Sequence, residues 1–229
     1  MNNVAGHFNK IADQYDVWKK KNWYYYQTLK ELVQQHVQAG KNVLEIGTGT
    51  GDILAGVAPQ VGIGLDISLA MIELAQKKHQ DRANLKFYCC APAELPEHVV
   101  YNYIMLIDVV EHLEDINGMV RQIKAVTSAK TEIFISMANP LWEPILMMAE
   151  KLKLKMPEGK HYRISARKLI GIFRDQDIIL VKHGFRLLIP LYMPFISQLI
   201  NHCFYATPLI RRLGLVEYFV FRLDPGKSI

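Results

Sequence analysis

The feature that most limits what this chain can fold into is a short apolar run that leads directly into three alternating glycines, Val43 to Gly51. Glycine has no Cβ, so the chain can turn sharply here and let a ligand approach its backbone. Asp66 follows at the spacing at which an acidic side chain accepts the hydroxyl groups of a ribose. The pattern predicts a nucleoside site between a strand and a helix. A tight turn without a ligand is the structural alternative.

Apolar runs bounded by turn residues alternate with segments of helical period along the chain. This alternation is typical of a parallel sheet covered by helices on both faces. We predict an α/β fold with a Rossmann-like, doubly wound, mostly parallel seven-stranded sheet, an antiparallel last strand and helical cap insertions. The predicted strands are Asn42–Ile46, Val61–Asp66, Leu85–Cys89, Tyr101–Ile107, Glu132–Met137, Phe185–Pro190 and Val216–Leu223.

The 229 residues are predicted to form one domain with four parts. Residues 1–40 are expected to form a helical lid, 41–138 the ligand-binding core, 139–165 a cap insertion and 166–229 a strand pair with a helical insertion. The helices expected outside the core are Asn3–Val37, Glu143–Lys153, Arg167–His183 and Phe195–Arg212.

Charge and cysteine content bear on partners and location. The net charge of +5 is mild and the basic residues are scattered, so no nucleic-acid partner is expected. Cys89, Cys90 and Cys203 show neither a disulfide framework nor a zinc-binding spacing, which favours a reducing cytoplasm. Prolines and polar residues interrupt the apolar stretch Leu187 to Ile210. A cytoplasmic or peripheral membrane protein is therefore expected.

The spacing of the glycine loop bears on which nucleoside binds. A dinucleotide site uses Gly-x-Gly-x-x-Gly with a pyrophosphate at the helix N-terminus. Here the glycines alternate, with Glu45 before them and Asp52 after them. Negative charge on both sides suits a cation, such as the sulfonium and ammonium groups of S-adenosylmethionine. The rival interpretations are a nicotinamide-dependent oxidoreductase and a noncatalytic adenosyl-binding module.

Four segments, taken in order, resemble the motifs of class I S-adenosylmethionine-dependent methyltransferases. They are Val43–Gly51, Gly64–Ser68 followed by Met71, Ala93–Pro96 and Asp108–Leu113. The opening segment, His7 to Asp16, is similar to the quinone-biosynthesis branch of that family, the ubiquinone O- and C-methyltransferases. The resemblance covers roughly residues 5 to 140. The chain departs from the family near Cys90 and Ala91, where it lacks an acidic residue for the adenine amino group.

The resemblance implies a methyltransferase that uses S-adenosylmethionine and acts on a small or lipid-like acceptor, such as a quinone or phenol. It implies that the glycines contact the methionine part of the cofactor, Asp66 the ribose, and Ile67 and Met71 the adenine. The expected cofactor-binding residues are Tyr15, Glu45, Gly47, Thr48, Gly49, Asp66, Ile67, Met71, Ala91 and Ile107.

Two histidines are candidate catalytic residues, because an acceptor hydroxyl must lose its proton. Asp108, Glu111 and His112 have i, i+3 and i+4 spacing, and the resemblance to a ubiquinone O-methyltransferase implies that they hold a divalent cation such as Mg²⁺. The alternative is a capping box formed by Asp108 and Glu111. His161, in the predicted cap, is the second candidate, with an exposed loop histidine as the alternative.

Two apolar segments, Leu141–Leu152 and Leu191–Tyr205, are candidates to line an acceptor channel or to contact a membrane surface. Lysines and arginines nearby would then lie close to anionic headgroups. The alternative is that both segments only cover the sheet. The sequence does not decide between these possibilities.

Overall fold

The computed structural model describes residues 3–95, 99–157, 159, 162–197, 199–201 and 210–227. Two helices, α1 (Asn3–Lys21) and α2 (Trp23–Gln34), precede the first strand. The elements that follow are β1 (Asn42–Ile46), α3 (Asp52–Gly56), β2 (Val61–Leu65), α4 (Leu69–Lys78), β3 (Leu85–Tyr88), β4 (Tyr103–Ile107), α5 (Ile116–Ala125), β5 (Glu132–Ala138), α6 (Glu143–Lys151), α7 (Ala166–Arg174), β6 (Ile178–Arg186) and β7 (Val216–Leu223).

The strands of the described residues form a seven-stranded sheet in the order β3-β2-β1-β4-β5-β7-β6. The pairs among β1 to β5 are parallel, whereas β7 is antiparallel to both of its neighbours, β5 and β6. The predicted fold class is therefore confirmed, including the antiparallel last strand.

Both faces of the sheet are buried, which explains why its strands are almost continuously apolar. Successive side chains of a strand point to opposite faces. Val43 and Phe134 pack in the core cluster on one face, and their neighbours Leu44 and Ile133 pack in the cluster on the other. The helices cover these two clusters.

The strand order reverses beside β1, and this reversal creates a crevice. β1 pairs with β2 on one side and with β4 on the other. The connections after β1 and β4 therefore leave the sheet in different directions at the same edge. Ligands of open α/β sheets bind at such a point, at the carboxyl ends of the strands.

The predicted helix Arg167–His183 and strand Phe185–Pro190 are wrong. The helix is shorter, Ala166–Arg174, and the chain then enters β6 at Ile178. The Ser165 side chain caps this helix by accepting a hydrogen bond from the Lys168 N–H. The next segment begins with the β-branched residues Ile178 and Ile179, which favour strands. It pairs with β7 instead of extending the helix.

The predicted N-terminal helix Asn3–Val37 is two helices in the structure. The break is at Asn22, whose backbone N–H and side-chain amide both donate to the Trp18 carbonyl oxygen. Most of the predicted helix Phe195–Arg212 lies outside the described residues. No helix in the described part of the chain is long and apolar enough to cross a bilayer.

Candidate functional site

The glycine loop after β1 lies in the crevice between β1 and β4. Gly47 and Gly49 have φ angles of 74° and 53°, in the left-handed region that residues with a Cβ disfavour. A Cβ at Gly47 would overlap the side chain of Val109, and one at Gly49 would lie 3.2 Å from the Tyr15 hydroxyl. Both backbone conformation and space therefore require glycine at these two positions.

The backbone N–H groups of this loop already have acceptors within the protein. Those of Gly47 and Thr48 donate to the Leu65 carbonyl oxygen at 2.7 and 2.9 Å. The N–H of Gly49 donates to Oδ2 of Asp66 at 2.9 Å. A phosphate site at a strand-helix turn uses such N–H groups as donors to the ligand, and here these three donate elsewhere.

Glu45 is a buried carboxyl group beneath the loop. Its Oε2 accepts hydrogen bonds from the Thr48 hydroxyl at 2.6 Å and from the Leu54 N–H at 3.2 Å. Burial raises the pKa of Glu45 to about 7, against the opposing effect of these hydrogen bonds. Glu45 therefore ties the loop to α3 and titrates close to neutral pH.

Asp66 connects the glycine loop to the start of α4. Its Oδ1 accepts from the Ser68 N–H at 2.9 Å, while Oδ2 accepts from Gly49. Burial raises the pKa of Asp66, although the hydrogen bonds from Ser68 and Gly49 oppose this. The Ile67 N–H is a third donor to this carboxylate. A carboxylate has about four acceptor positions, so these three hydrogen bonds leave capacity for a ligand.

These groups line a cavity of about 190 Å³ at the carboxyl ends of β1, β2 and β4. All the residues predicted to bind the cofactor line this cavity, namely Tyr15, Glu45, Gly47, Thr48, Gly49, Asp66, Ile67, Met71, Ala91 and Ile107. The cavity is closed on one side by α1 and α2, which contribute Phe8, Lys19 and Tyr26. The fold brings these residues together in one cavity. Their contacts with a ligand remain a prediction.

The two residues expected at the adenine differ in their exposure. Ile67 is 48% exposed, whereas Met71 is 1% exposed. Met71 is therefore part of the core below the cavity, and Ile67 offers apolar surface at its wall. Ala91, also at this wall, opens the turn Pro92–Glu94 and donates its N–H to the Glu94 carboxylate at 2.9 Å.

Asp52 is not the uncompensated negative charge that the sequence suggests. Its carboxylate lies 2.7 Å from the Lys19 ammonium and 2.8 Å from that of Lys78, which also pairs with Asp16 at 2.6 Å. Burial acts to raise the pKa of Asp52, but the two lysines outweigh it and hold that pKa below its usual value. Asp52 is therefore neutralised within the protein, and the expectation that its charge attracts a cationic ligand is wrong. These four side chains, the α1 ion cluster, instead fix α1 to α3 and α4.

A residue that the sequence analysis missed, Asn9, supports the same edge of the cavity. Its Oδ1 accepts from the Ser68 hydroxyl at 2.7 Å and from the Ala70 N–H at 3.2 Å. Asn9 thereby caps α4 from α1, some 60 residues away in sequence. Ser68 is itself a sufficient local cap, so nothing in the spacing points to Asn9.

The predicted metal site is not supported by the geometry. Asp108 has a left-handed φ of 54°, and Val110–His112 is a 3₁₀ turn, so the three side chains do not share a helix face. Asp108 and His112 line the cavity described above, whereas Glu111 lines a second cavity. Within the described ranges, no group of three or more His, Cys, Asp or Glu side chains is placed to hold a metal ion.

The capping-box alternative is also wrong. The N-cap of α5 is Asp115, which accepts from the Gly118 N–H at 2.8 Å. Asp108 lies outside the helix and has other partners.

Of the two candidate catalytic histidines, the structure describes one. His112 lines the first cavity, and its ring packs edge to face against Phe8 at a centroid distance of 5.4 Å. This places His112 beneath α1, in keeping with a site residue. His161 lies outside the described residues.

A second cavity of about 830 Å³ lies on an adjacent face of α1. Gln14 and Trp18 of α1 line it, together with the residues after β5 and one side of α6. The consecutive residues Glu111 and His112 line the second and first cavity, respectively. The 3₁₀ turn and α1 therefore form a partition between the two spaces.

A sequence model of a methyltransferase domain family matches residues 18–183. Among curated proteins, the ubiquinone biosynthesis O-methyltransferase of Coxiella burnetii is 28% identical over 141 residues, which cover 58% of this chain and 60% of that protein. The chain thus spans less than two thirds of that relative.

Two solved structures share the fold over nearly the whole chain. A chain of the Haloferax volcanii complex between the Trm112 methyltransferase activator and a methyltransferase superposes with a TM-score of 0.70, at 15% identity, covering 94% of this chain and 97% of that one. Magnesium protoporphyrin IX methyltransferase from Synechocystis PCC 6803, solved with bound SAH, superposes with a TM-score of 0.62, at 17% identity, covering 96% and 97%.

Proposed function

Because the chain belongs to the methyltransferase domain family, we propose that it transfers the methyl group of S-adenosylmethionine to a small, apolar acceptor of lipid-like or phenolic type. The S-adenosylmethionine-dependent class that the sequence motifs predict agrees with this membership. The observation that carries the choice of donor is the glycine loop, whose N–H groups at Gly47, Thr48 and Gly49 are bonded inside the protein.

The donor fits the charges and acceptors of the first cavity. A loop whose N–H groups are already bonded has carbonyl oxygens to offer, and these suit an ammonium group better than a pyrophosphate. A bound cation would favour the ionised form of Glu45. The remaining acceptor position of Asp66 is available to the ribose, and the exposed side chain of Ile67 is available to the adenine.

Methyl transfer requires mainly alignment and the exclusion of water, and positioning of this kind contributes up to about 7–11 kcal/mol. Both tasks fall to the helices that close the first cavity. Lys19 of α1 is held by Asp52, and Tyr15 lies against the glycine loop. S-adenosylmethionine is a substrate here and leaves as S-adenosylhomocysteine.

Calorimetric titration distinguishes this proposal from an oxidoreductase. We expect S-adenosylmethionine and S-adenosylhomocysteine to bind with one site each, and NAD to show no heat of binding at the same concentrations. Binding of NAD without binding of S-adenosylmethionine would overturn the choice of donor. Binding of the donor without methyl transfer to any extract component would favour the noncatalytic module.

The second cavity supports an acceptor of moderate size. Its volume of about 830 Å³ lies within the range of small-molecule sites. Trp18, Met137, Leu146 and Ile164 give it an apolar part, beside which charged side chains, among them Glu150, Lys155 and Arg163, also line it. The cavity adjoins the first one across the 3₁₀ turn. An acceptor bound there would reach the donor past this partition.

Exposed apolar side chains support the lipid-like part of the proposal. Leu141, Met148 and Leu152 on and beside α6 are 62–65% exposed, and Phe195 is 84% exposed. Lys151 and Lys153 flank Leu152. Apolar side chains beside lysines suit the surface of a membrane with anionic headgroups. We therefore propose that the protein also makes peripheral contact with a membrane. The cytoplasmic location stays a prediction.

Co-sedimentation with vesicles tests this contact. We expect the protein to sediment with phosphatidylglycerol vesicles more than with phosphatidylcholine vesicles, and Phe195→Gln to reduce sedimentation several-fold. Val17→Gln is the matched control, because Val17 is 66% exposed and lies on α1, outside these two segments of the sequence. Equal sedimentation of the two variants would remove the apolar surface from the proposal.

A further inference from the structure

Asp108 is held by two hydroxyl donors from distant parts of the chain. Its Oδ1 accepts a hydrogen bond from the Ser136 hydroxyl at 2.8 Å, and its Oδ2 accepts one from the Tyr25 hydroxyl at 2.6 Å. Ser136 lies on β5 and is fully buried, and Tyr25 lies on α2. Two separate elements, β5 and α2, therefore fix the orientation of this carboxylate.

The backbone at Asp108 is in an uncommon conformation. Its φ of 54° is left-handed, which costs non-glycine residues free energy, although Asp and Asn tolerate it best. The turn comes directly after β4 and places Asp108 in the wall of the first cavity, between Ile107 and Val109. Strain of this kind persists where surrounding contacts hold it, often at functional sites.

The Asp108 carboxylate is part of the wall of this cavity. A carboxylate accepts hydrogen bonds through both of its oxygens, and the hydroxyls of Ser136 and Tyr25 hold one oxygen each. The cavity is also lined by aromatic and aliphatic side chains, among them Phe8, Tyr26, Leu29, Leu113 and Met156. The ring of a flat aromatic molecule that carries a hydroxyl group, reaching into this cavity from the second one, matches this combination of one fixed acceptor and apolar walls.

We propose that Asp108 accepts the proton of a phenolic hydroxyl on the methyl acceptor; this inference rests on the proposed function. In the transfer, the acceptor oxygen forms a bond to the methyl carbon while the bond from that carbon to sulfur breaks and its electron pair goes to sulfur. The proton of the hydroxyl passes to the Asp108 carboxylate. The products are the methyl ether, S-adenosylhomocysteine and a protonated Asp108, which later releases its proton to water.

A carboxylate is a strong enough base for this step. The hydroxyl becomes strongly acidic as its oxygen forms the new bond to carbon, so the proton needs a positioned acceptor more than a strong base. General acid–base assistance of this type contributes about 10²–10⁴-fold to rate. Ser136 and Tyr25 are positioning residues, since they orient Asp108.

The first test measures methyl transfer as a function of pH. The substrate is the extract fraction that takes up label from methyl-labelled S-adenosylmethionine with the wild-type chain. We expect Asp108→Asn to lower kcat about 100-fold or more near neutral pH. Its rate should then rise about tenfold per pH unit toward the phenol pKa near 10, because the ionised acceptor has no proton to lose. Asparagine also tolerates the left-handed backbone, so folding is preserved.

Glu114→Gln is the matched control, because Glu114 is an exposed acid on the same connection and lines neither described cavity. It should keep wild-type rates at every pH. Tyr25→Phe should lower kcat about tenfold with little change in KM, since it loosens Asp108 without removing it. A loss in Asp108→Asn that stays constant with pH would overturn the proton transfer and leave only a structural role.

The second test needs no turnover. The probe is 4-nitrophenol, titrated into protein saturated with S-adenosylhomocysteine, and its visible absorption reports ionisation. A neighbouring carboxylate disfavours a second negative charge. We therefore expect the bound probe to ionise at a pH about one unit higher in the wild type than in Asp108→Asn. Equal ionisation in both proteins, or no binding to the wild type, would contradict the inference.

The two proposals fail in different ways. If S-adenosylhomocysteine does not bind the wild-type chain, the proposed function fails. If it binds and the wild type transfers label, but Asp108→Asn transfers it equally well, only the role of Asp108 fails.

Discussion

Asp66 is the residue to which the sequence points most directly, because its spacing from the glycine loop is that of a ribose-binding acid. In the structure its carboxylate also braces the glycine loop through Gly49 and the start of α4 through Ser68. One side chain thus shapes the cavity and offers acceptor positions within it. Replacing Asp66 should therefore weaken ligand binding in two ways, by loosening the glycine loop and by removing a hydrogen-bond acceptor.

Asp66→Ala should weaken binding of S-adenosylmethionine about 10- to 100-fold, the range expected for loss of hydrogen bonds to a charged group. Isothermal titration of the folded variant measures this. Asp81→Ala is the control, because Asp81 is an exposed acid beyond α4. Unchanged affinity in Asp66→Ala would exclude Asp66 from the binding site.

Glu45 makes the stability of the protein depend on pH. The folded protein holds the Glu45 proton up to about pH 7, against a reference value of 4.5. Between these values the unfolded chain binds fewer protons, so the free energy of unfolding contributed by this group falls as pH rises. Glu45→Gln should remove that fall. Denaturant unfolding at several pH values measures it, and parallel curves for wild type and variant would contradict the raised pKa.

Among the elements, those with local start and stop signals were predicted correctly. The bounds of β1 and β7 agree with the sequence prediction, because turn residues border both strands. The region around β6 was wrong because Ile178 to Val181 suit a buried helix turn as well as a strand. Pairing with β7, some 40 residues later, decides between them.

In the site, too, features set by residues close in sequence were predicted, whereas features set by contacts between distant residues were not. The glycine loop and Asp66 are separated by few residues and were predicted together. Asp108 was misassigned because its partner Tyr25 is 83 residues away in sequence. Asp52 was misjudged because Lys19 comes from α1 and Lys78 from the far end of α4. Contacts of this kind depend on the fold, and no periodic pattern in the sequence indicates them.

The α1 ion cluster gives a prediction at the level of this helix. Asp52→Asn should raise the dissociation rate of S-adenosylmethionine about two- to fivefold, since partly exposed ion pairs contribute up to about 1 kcal/mol each. Added salt should speed dissociation from the wild type more than from the variant.

Stopped-flow displacement measures these rates. Asp13→Asn is the control, because Asp13 is an exposed acid on α1 itself. If Asp52→Asn and Asp13→Asn release the donor at the same rate, the ion cluster does not hold α1 over the cavity.

At the scale of the whole molecule, the sheet brings two cavities to one edge and the N-terminal helices separate them. The first cavity contains the glycine loop, Asp66 and Asp108, and the second opens between α1 and α6. In our proposal the first cavity holds the donor, the second holds the acceptor, and Asp108 lies in the wall of the first. Two adjoining spaces allow the donor and the acceptor to be aligned with each other.

The most direct test of methyl transfer to an apolar acceptor is a labelling experiment. The full chain is incubated with methyl-labelled S-adenosylmethionine and cell extract, and the lipid and aqueous phases are counted separately. We predict that label enters the lipid phase, and that Asp66→Ala removes most of it. Label confined to the aqueous phase, or absent from both phases while the donor binds, would contradict the account.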